Sequence, residues 1–164
     1  AIPAGLVLDP KWRLTPYDWS SFAIMWDSGK LAVPPASLED LTKPEYAKKL
    51  ILMDPRTSTP GLGFVAWTQA AYGAGLPDYW KRLKPSILTM SPGWDTGYGL
   101  FTSGEAPLVI SYTTSAAYHA EYETAGRYKA LEFKDGHPVQ IEGAGIVAKA
   151  RHRKAAEEIG RAHV

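Results

Sequence analysis

The chain has 164 residues and a net charge of +1, which is enough length for one domain with a substantial core and gives no case for nucleic acid or an acidic membrane surface. Its apolar share of 45% against 21% charged is ordinary for a globular protein, and no run of ~18 apolar residues suggests a bilayer span. The absence of cysteine excludes disulfides, thiolate metal sites and cysteine nucleophiles within this chain. Six Trp and nine Tyr are many for this length; aromatic rings fill cores, and they also line sites for flat or cationic ligands.

Residues 1–10 carry no strong pattern and read as a loop. Leu14 to Tyr17 lead into residues 21–26, nearly all apolar, which predict a strand buried on both faces, with Ser28-Gly29-Lys30 as a turn. Ser37, with Asp40 three residues on, approximates a capping box and predicts a short helix that Lys43-Pro44 ends. Leu50-Ile51-Leu52-Met53 reads as a buried strand. The run Asp54 to Gly63 after it is the centre of the chain. Pro60 suits the first helical position, which places Thr59 at the N-cap and Ser58 just outside, and the helix runs through Tyr72 to a stop at Gly73. A hydroxyl-rich turn before free helix amides is a ready anion site.

Pro77 to Leu83 predicts a second helix, stopped by Pro85, and Ser86 to Met90 another strand. Ser91 as a hydroxyl cap, with Pro92 at the first helical position, then opens a helix to Ser103 that Gly104 ends. Pro107 to Tyr112 predicts a further strand, and Thr113-Thr114-Ser115 caps a helix over Ala116–Glu123 that stops near Gly126. Strand, Ser/Thr turn and helix thus recur three times, which argues for a parallel sheet with right-handed crossovers. Ligands in such sheets sit beyond the carboxyl ends of the strands, so the three turns are expected to face one crevice. Its expected lining is Thr57, Ser58, Thr59, Trp94, Asp95, Tyr98, Tyr112, Thr113, Ser115, Tyr118 and His119. That set suits a ligand with a polar or anionic end and a flat or cationic body.

Tyr128 to Phe133 and Val139 to Val147 flank Lys134-Asp135-Gly136-His137 and predict a hairpin. Lys149 to Glu158 is charged and Ala-rich, a helix beginning; its basic start reads as a solvated face. The four His lack helical metal spacing, and neither a G-x-S-x-G elbow nor a Walker sequence occurs. Asp54, Asp95, Glu105 and Glu142 read as solvated or capping carboxylates before acid/base pairs.

The run DPRTSTPGLG at 54–63 resembles the thiamine-binding periplasmic proteins of ABC importers. So do Pro92-Gly93-Trp94 with Tyr98-Gly99-Leu100-Phe101, and Ser111-Tyr112-Thr113-Thr114-Ser115-Ala116-Ala117-Tyr118-His119. Further matches are Tyr17-Asp18-Trp19 with Phe22-Ala23, Pro34-Pro35-Ala36-Ser37-Leu38, and Gly136-His137 with Val139-Gln140; all run in the family's order. Two departures are Trp19-Ser20 in place of a Tyr-Gly, and Ala116 in place of a Pro.

The resemblance implies a type 2 periplasmic-binding-protein lobe, an α/β fold with a mainly parallel sheet flanked by helices and with hinge-crossing strands. By that analogy residues 1–27 are a remnant of the first lobe with one hinge strand, 28–135 the second lobe, 136–148 the return hinge strand, and 149–164 the start of the first-lobe return. Ser58 and Thr59 are expected to hold the hydroxyl or phosphate end of thiamine, thiamine phosphate or thiamine diphosphate. Trp94, Tyr112 and Tyr118 are expected to pack against its rings. The implied role is solute capture for an ABC permease of the inner membrane, in the periplasm, with no enzymatic step, no cofactor, no metal and no nucleic acid. A binding protein for another solute such as ferric ion, held by tyrosinates, and a thiamine-processing enzyme on the same scaffold remain the alternatives. The chain starts without Met or a signal peptide, and Ile159 to Val164 resembles a translated sequencing adaptor, so a fragment of a gene from environmental DNA is the expectation.

Overall fold

The computed structural model describes residues 3–122 and 126–162. The chain divides into two compact units, Ser21–Pro138, and Ala1–Ser20 with Val139–Val164.

The larger unit is built on a sheet of β1 (Thr15–Asp27, from Ser21 onward in this unit), β2 (Leu50–Met53), β3 (Ile87–Ser91), β4 (Leu108–Tyr112) and β5 (Tyr128–Ala130), in the order β3-β2-β4-β1-β5. β2 runs parallel to both β3 and β4, with Met53 beside Ser91 and Ile51 beside Val109. β1 is antiparallel to β4 and to β5, so the sheet is mixed, with a parallel trio at its centre. Every residue of β2 is buried, as are the first four of β4, which is why both read as unbroken apolar runs. Helices α1 (Thr59–Tyr72), α3 (Trp94–Ser103) and α4 (Thr113–Tyr122) follow β2, β3 and β4 in turn, and α2 (Leu76–Leu83) lies between α1 and β3. The three βα junctions therefore share the carboxyl edge of the parallel trio, the placement the sequence grammar led us to expect.

Several boundaries differ from the sequence reading. β1 begins at Thr15, six residues before the expected strand, because extended backbone continues through residues 17–20, whose mostly exposed side chains break the apolar run. The Ser37 cap bond is present, from the Asp40 N–H to Ser37 Oγ at 3.1 Å, but it starts a 3-10 turn over Asp40–Thr42. The predicted hairpin does not form: β5 pairs with β1, and β6 (Val139–Ala144) also pairs with β1. The reason is His137. Its Nε2 accepts the Phe133 N–H at 2.8 Å while its Nδ1 bonds the Phe22 carbonyl oxygen at 2.7 Å. Asp135 meanwhile accepts the Leu38 N–H at 2.9 Å, so the Asp-Gly turn is fastened to other elements rather than to a facing strand. Helix α4 already includes Thr113, so the Thr-Thr-Ser run forms its first turn rather than preceding it; the expected end at Glu123 lies outside the described residues. In the smaller unit, α5 spans Arg153–Ala162, starting four residues later than expected; His163 and Val164 lie outside the described residues.

Asp27 at the end of β1 is fully buried and takes both arms of the Arg127 guanidinium, Nε to Oδ1 at 2.9 Å and Nη2 to Oδ2 at 2.8 Å, plus the Gly29 N–H at 3.0 Å. The Arg127 hydrogen bonds outweigh burial and hold the Asp27 carboxyl below the usual range. Because the folded value lies below the unfolded one, about 3.9, this stabilisation is complete above pH ~4 and is lost as pH falls through the folded value. The unfolding free energy is therefore expected to stay level from pH 7 to 5 and to fall below pH 4. Asp27→Asn should lower it by about 2 kcal/mol at pH 7, discounted from a fully buried pair because Arg127 is half exposed, and should flatten the acid limb. Urea unfolding at pH 3, 5 and 7 reads both, and an unchanged acid limb in the variant would contradict the assignment.

Candidate ligand-binding site

The first junction is a tight loop held by its own backbone. The Asp54 carbonyl accepts the N–H groups of Thr57 and Ser58 at 3.1 and 3.0 Å. The Asp54 carboxylate takes the Arg56 side chain as a fork, Nε to Oδ1 at 2.9 Å and Nη2 to Oδ2 at 2.6 Å, and the Arg56 N–H at 2.9 Å. These bonds push the Asp54 pKa down to about 2, so Asp54 is a fixed anion whose charge is matched by Arg56. Pairing of that quality marks a loop brace rather than a proton donor. Ser58 is extended, at φ −138°, and is the N-cap, whereas Thr59 is already helical and Pro60 occupies the second position. The sequence reading is thus displaced by one residue. Ser58 Oγ makes no cap bond, and it is buried with no hydrogen-bond partner among the described residues. Thr59 is exposed.

The second junction is tied to the first. Thr57 Oγ1 donates to the Pro92 carbonyl at 2.7 Å, and the Asp54 N–H donates to the Ser91 carbonyl at 2.9 Å. Here too the cap differs from expectation. Gly93 is the N-cap of α3 and Pro92 precedes the helix, because the Ser91 hydroxyl donates to the Gly93 carbonyl instead of accepting a helix amide. Trp94 is consequently the first helical residue. It is 37% exposed, and its ring stacks on Tyr98, centroids 4.9 Å apart.

The third junction meets the second through that ring. Trp94 Nε1–H donates to Ser111 Oγ at 2.8 Å, and Ser111 Oγ and Ser115 Oγ are 2.8 Å apart. Strand alternation sends Tyr112 to the opposite face of β4 from Ser111. There it is half-buried and stacks on Phe22 at 5.2 Å. Tyr118 is 56% exposed and packs edge-on to His119 and against Tyr122. Of the residues expected to line the crevice, Tyr98, Ser115 and His119 are instead buried behind it, with Tyr98 OH and His119 Nε2 hydrogen-bonded at 2.7 Å. Ser111 was not among those expected. It follows an apolar run, and its one signal is the spacing Ser111, Ser115, His119, four residues apart each time across the strand-to-helix boundary.

The model of the family described as "bacterial extracellular solute-binding protein" matches residues 3–161. The chain belongs to that family. Within it, the chain is 50% identical over 127 residues to the thiamine-binding periplasmic protein of Brucella melitensis, covering 77% of this chain and 38% of that protein. Against the thiamine-binding periplasmic protein of Escherichia coli it is 42% identical over 157 residues, 96% of this chain and 47% of that protein. The chain thus spans roughly half the length of these relatives or less. Among solved structures, a periplasmic thiamin binding protein superposes with a TM-score of 0.87 at 40% identity, over 96% of this chain and 48% of that one. A periplasmic binding protein from Actinobacillus pleuropneumoniae gives 0.79 at 18% identity, over 90% of this chain and 48% of that one, a likeness of fold alone. The type 2 periplasmic-binding-protein fold inferred from the sequence motifs is therefore shared with solved members.

Proposed function

We propose that this chain supplies one wall of a thiamine site in the solute-binding component of an ABC importer. The observation that carries the reading is the pairing of a buried Ser58 hydroxyl, without a partner among the described residues, at the amino end of α1 with an exposed Trp94 one junction away. A buried hydroxyl without a partner is costly unless something else bonds it, and helix amides beside it favour an oxygen-rich or anionic group. The exposed indole face suits the fixed positive charge of a thiazolium. Thiamine carries both features, a cationic ring and a hydroxyl or phosphate tail. Thr59 assists Ser58 at the tail, and Tyr112 and Tyr118 flank the rings.

The names of the relatives, and the extracellular solute-binding family, support capture outside the cytoplasm; delivery to an inner-membrane permease completes the proposal. Thiamine or its phosphates are then cargo and not a cofactor, and the protein performs no chemical step.

Thiamine is expected to quench tryptophan fluorescence saturably, and Ser58→Ala to weaken affinity about tenfold, the loss of one hydrogen bond to a polar or charged ligand. Because Ser58 Oγ has no partner to lose within the described protein, the thermal midpoint of the variant should stay within about 2 °C of the parent. Calorimetric titration with thiamine and its mono- and diphosphate decides the matter. Absence of any heat or quenching with all three would refute the reading.

A further inference from the structure

We infer that Ser111 and the Tyr98–His119 pair are positioning residues that fix the orientation of the Trp94 ring before ligand arrives. This deepens the thiamine reading and rests on it. A tryptophan at the first position of a helix, more than a third exposed, has rotamer freedom, and immobilising such a side chain on binding costs affinity. Here two restraints remove that freedom in the free protein. At the ring edge, Nε1–H donates to Ser111 Oγ at 2.8 Å. At the inner face, the Tyr98 ring lies 4.9 Å away and within 20° of parallel.

Each restraint is itself anchored. Ser111 is fully buried, and its hydroxyl is locked in register by Ser115 Oγ at 2.8 Å. The Tyr98 hydroxyl is tied to His119 Nε2 at 2.7 Å, and the His119 ring is buried and packed 4.5 Å from Tyr128. Ser115 and His119 stand one turn apart on α4, so a single helix face sets both restraints on a ring carried by α3. Apolar packing alone would hold the ring loosely about its long axis; the directed bond at Nε1 sets one orientation and leaves the outer face to the ligand.

The test is a double-mutant cycle read by thiamine titration. Ser111→Ala is expected to weaken affinity about tenfold in the parent protein. In a Trp94→Phe background, where the ring has no N–H to hold, it should change affinity less than twofold. Tyr98→Phe, which keeps the stack and removes the bond to His119, should cost about threefold. A second readout is hydrogen exchange of the Trp94 indole N–H, assigned by the loss of its resonance in Trp94→Phe. It is expected to exchange more slowly than that of exposed Trp12 in the parent, and as fast in Ser111→Ala. An affinity within twofold of the parent in Ser111→Ala, or an equal loss in both backgrounds, overturns the inference, since a purely structural serine would act in either. Should Ser111→Ala not fold, or the parent not respond to thiamine and so fail the functional reading, the indole exchange in the parent decides: protection supports the clamp and exchange as fast as Trp12 overturns it.

Discussion

Replacing Gly61 with alanine is expected to lower the unfolding free energy by about 3 kcal/mol and the thermal midpoint by roughly 6–12 °C. Gly61 is the third residue of α1 and is buried where the helix crosses the end of β2. A Cβ there would stand 2.3 Å from the Met53 carbonyl oxygen, 2.8 Å from the Met53 carbonyl carbon and 2.9 Å from the Asp54 carbonyl carbon. All three are main-chain atoms at the start of the Asp54 loop, so relief requires α1 to move off the sheet. That movement would also displace Ser58 and Thr59 from the carboxyl edge, and thiamine affinity should fall with stability. Gly99 is the control: it is exposed in α3, a Cβ there would meet nothing within 4 Å, and Gly99→Ala should stabilise by about 0.5–1 kcal/mol through helix propensity and chain entropy. Urea unfolding with an unchanged m-value measures both. A Gly61→Ala midpoint equal to the parent would show that the close approach does not exist.

The second large effect is on binding. Trp94→Ala is expected to weaken thiamine affinity about 100-fold, which corresponds to roughly 2.7 kcal/mol. Loss of a desolvated cation–π contact, about 2 kcal/mol, supplies most of it, and lost apolar contact the rest. Trp94→Phe keeps an aromatic face with a weaker quadrupole and no N–H, so a loss of about tenfold is expected. The stability penalty of Trp94→Ala should be modest, because the residue is 37% exposed and removal of its ring uncovers Tyr98 rather than opening a sealed cavity. Titration calorimetry with thiamine separates the variants. An alanine variant within threefold of the parent would remove Trp94 from the site.

The division between what the residues declare and what the fold adds is clearest at the three βα turns. Their Ser, Thr, Pro and Gly residues act within four positions of the chain, so each junction was legible, and β2 and β4 were legible because continuous burial leaves no polar interruption. The details that failed are those in which a hydroxyl had two possible partners. Ser91 bonds a carbonyl and not a helix amide, and Ser58 is the N-cap residue while its hydroxyl bonds no amide of the helix, so both helix starts fell one or two residues from expectation.

The hairpin failed for a related reason. Asp-Gly favours a tight turn wherever it occurs, but which strand then pairs is a competition between distant segments. His137, bonded to Phe133 and to Phe22, and Asp135, bonded to Leu38, decide that competition. The links to Phe22 and Leu38 join residues 115 and 97 positions apart and have no local signature.

Local grammar therefore determined the succession of strands and helices, the hydroxyl-rich turns and the family motifs, since each depends on neighbours in the chain. Only the tertiary structure decided that Trp94 is exposed while Tyr98 and His119 are buried, that Ser111 grips the indole, and that the Ser58 hydroxyl has no partner among the described residues. Those outcomes turn on contacts between residues 17 to 21 positions apart and on the burial of one atom, and the free energy of such contacts exists only once the sheet has brought the three junctions to one edge.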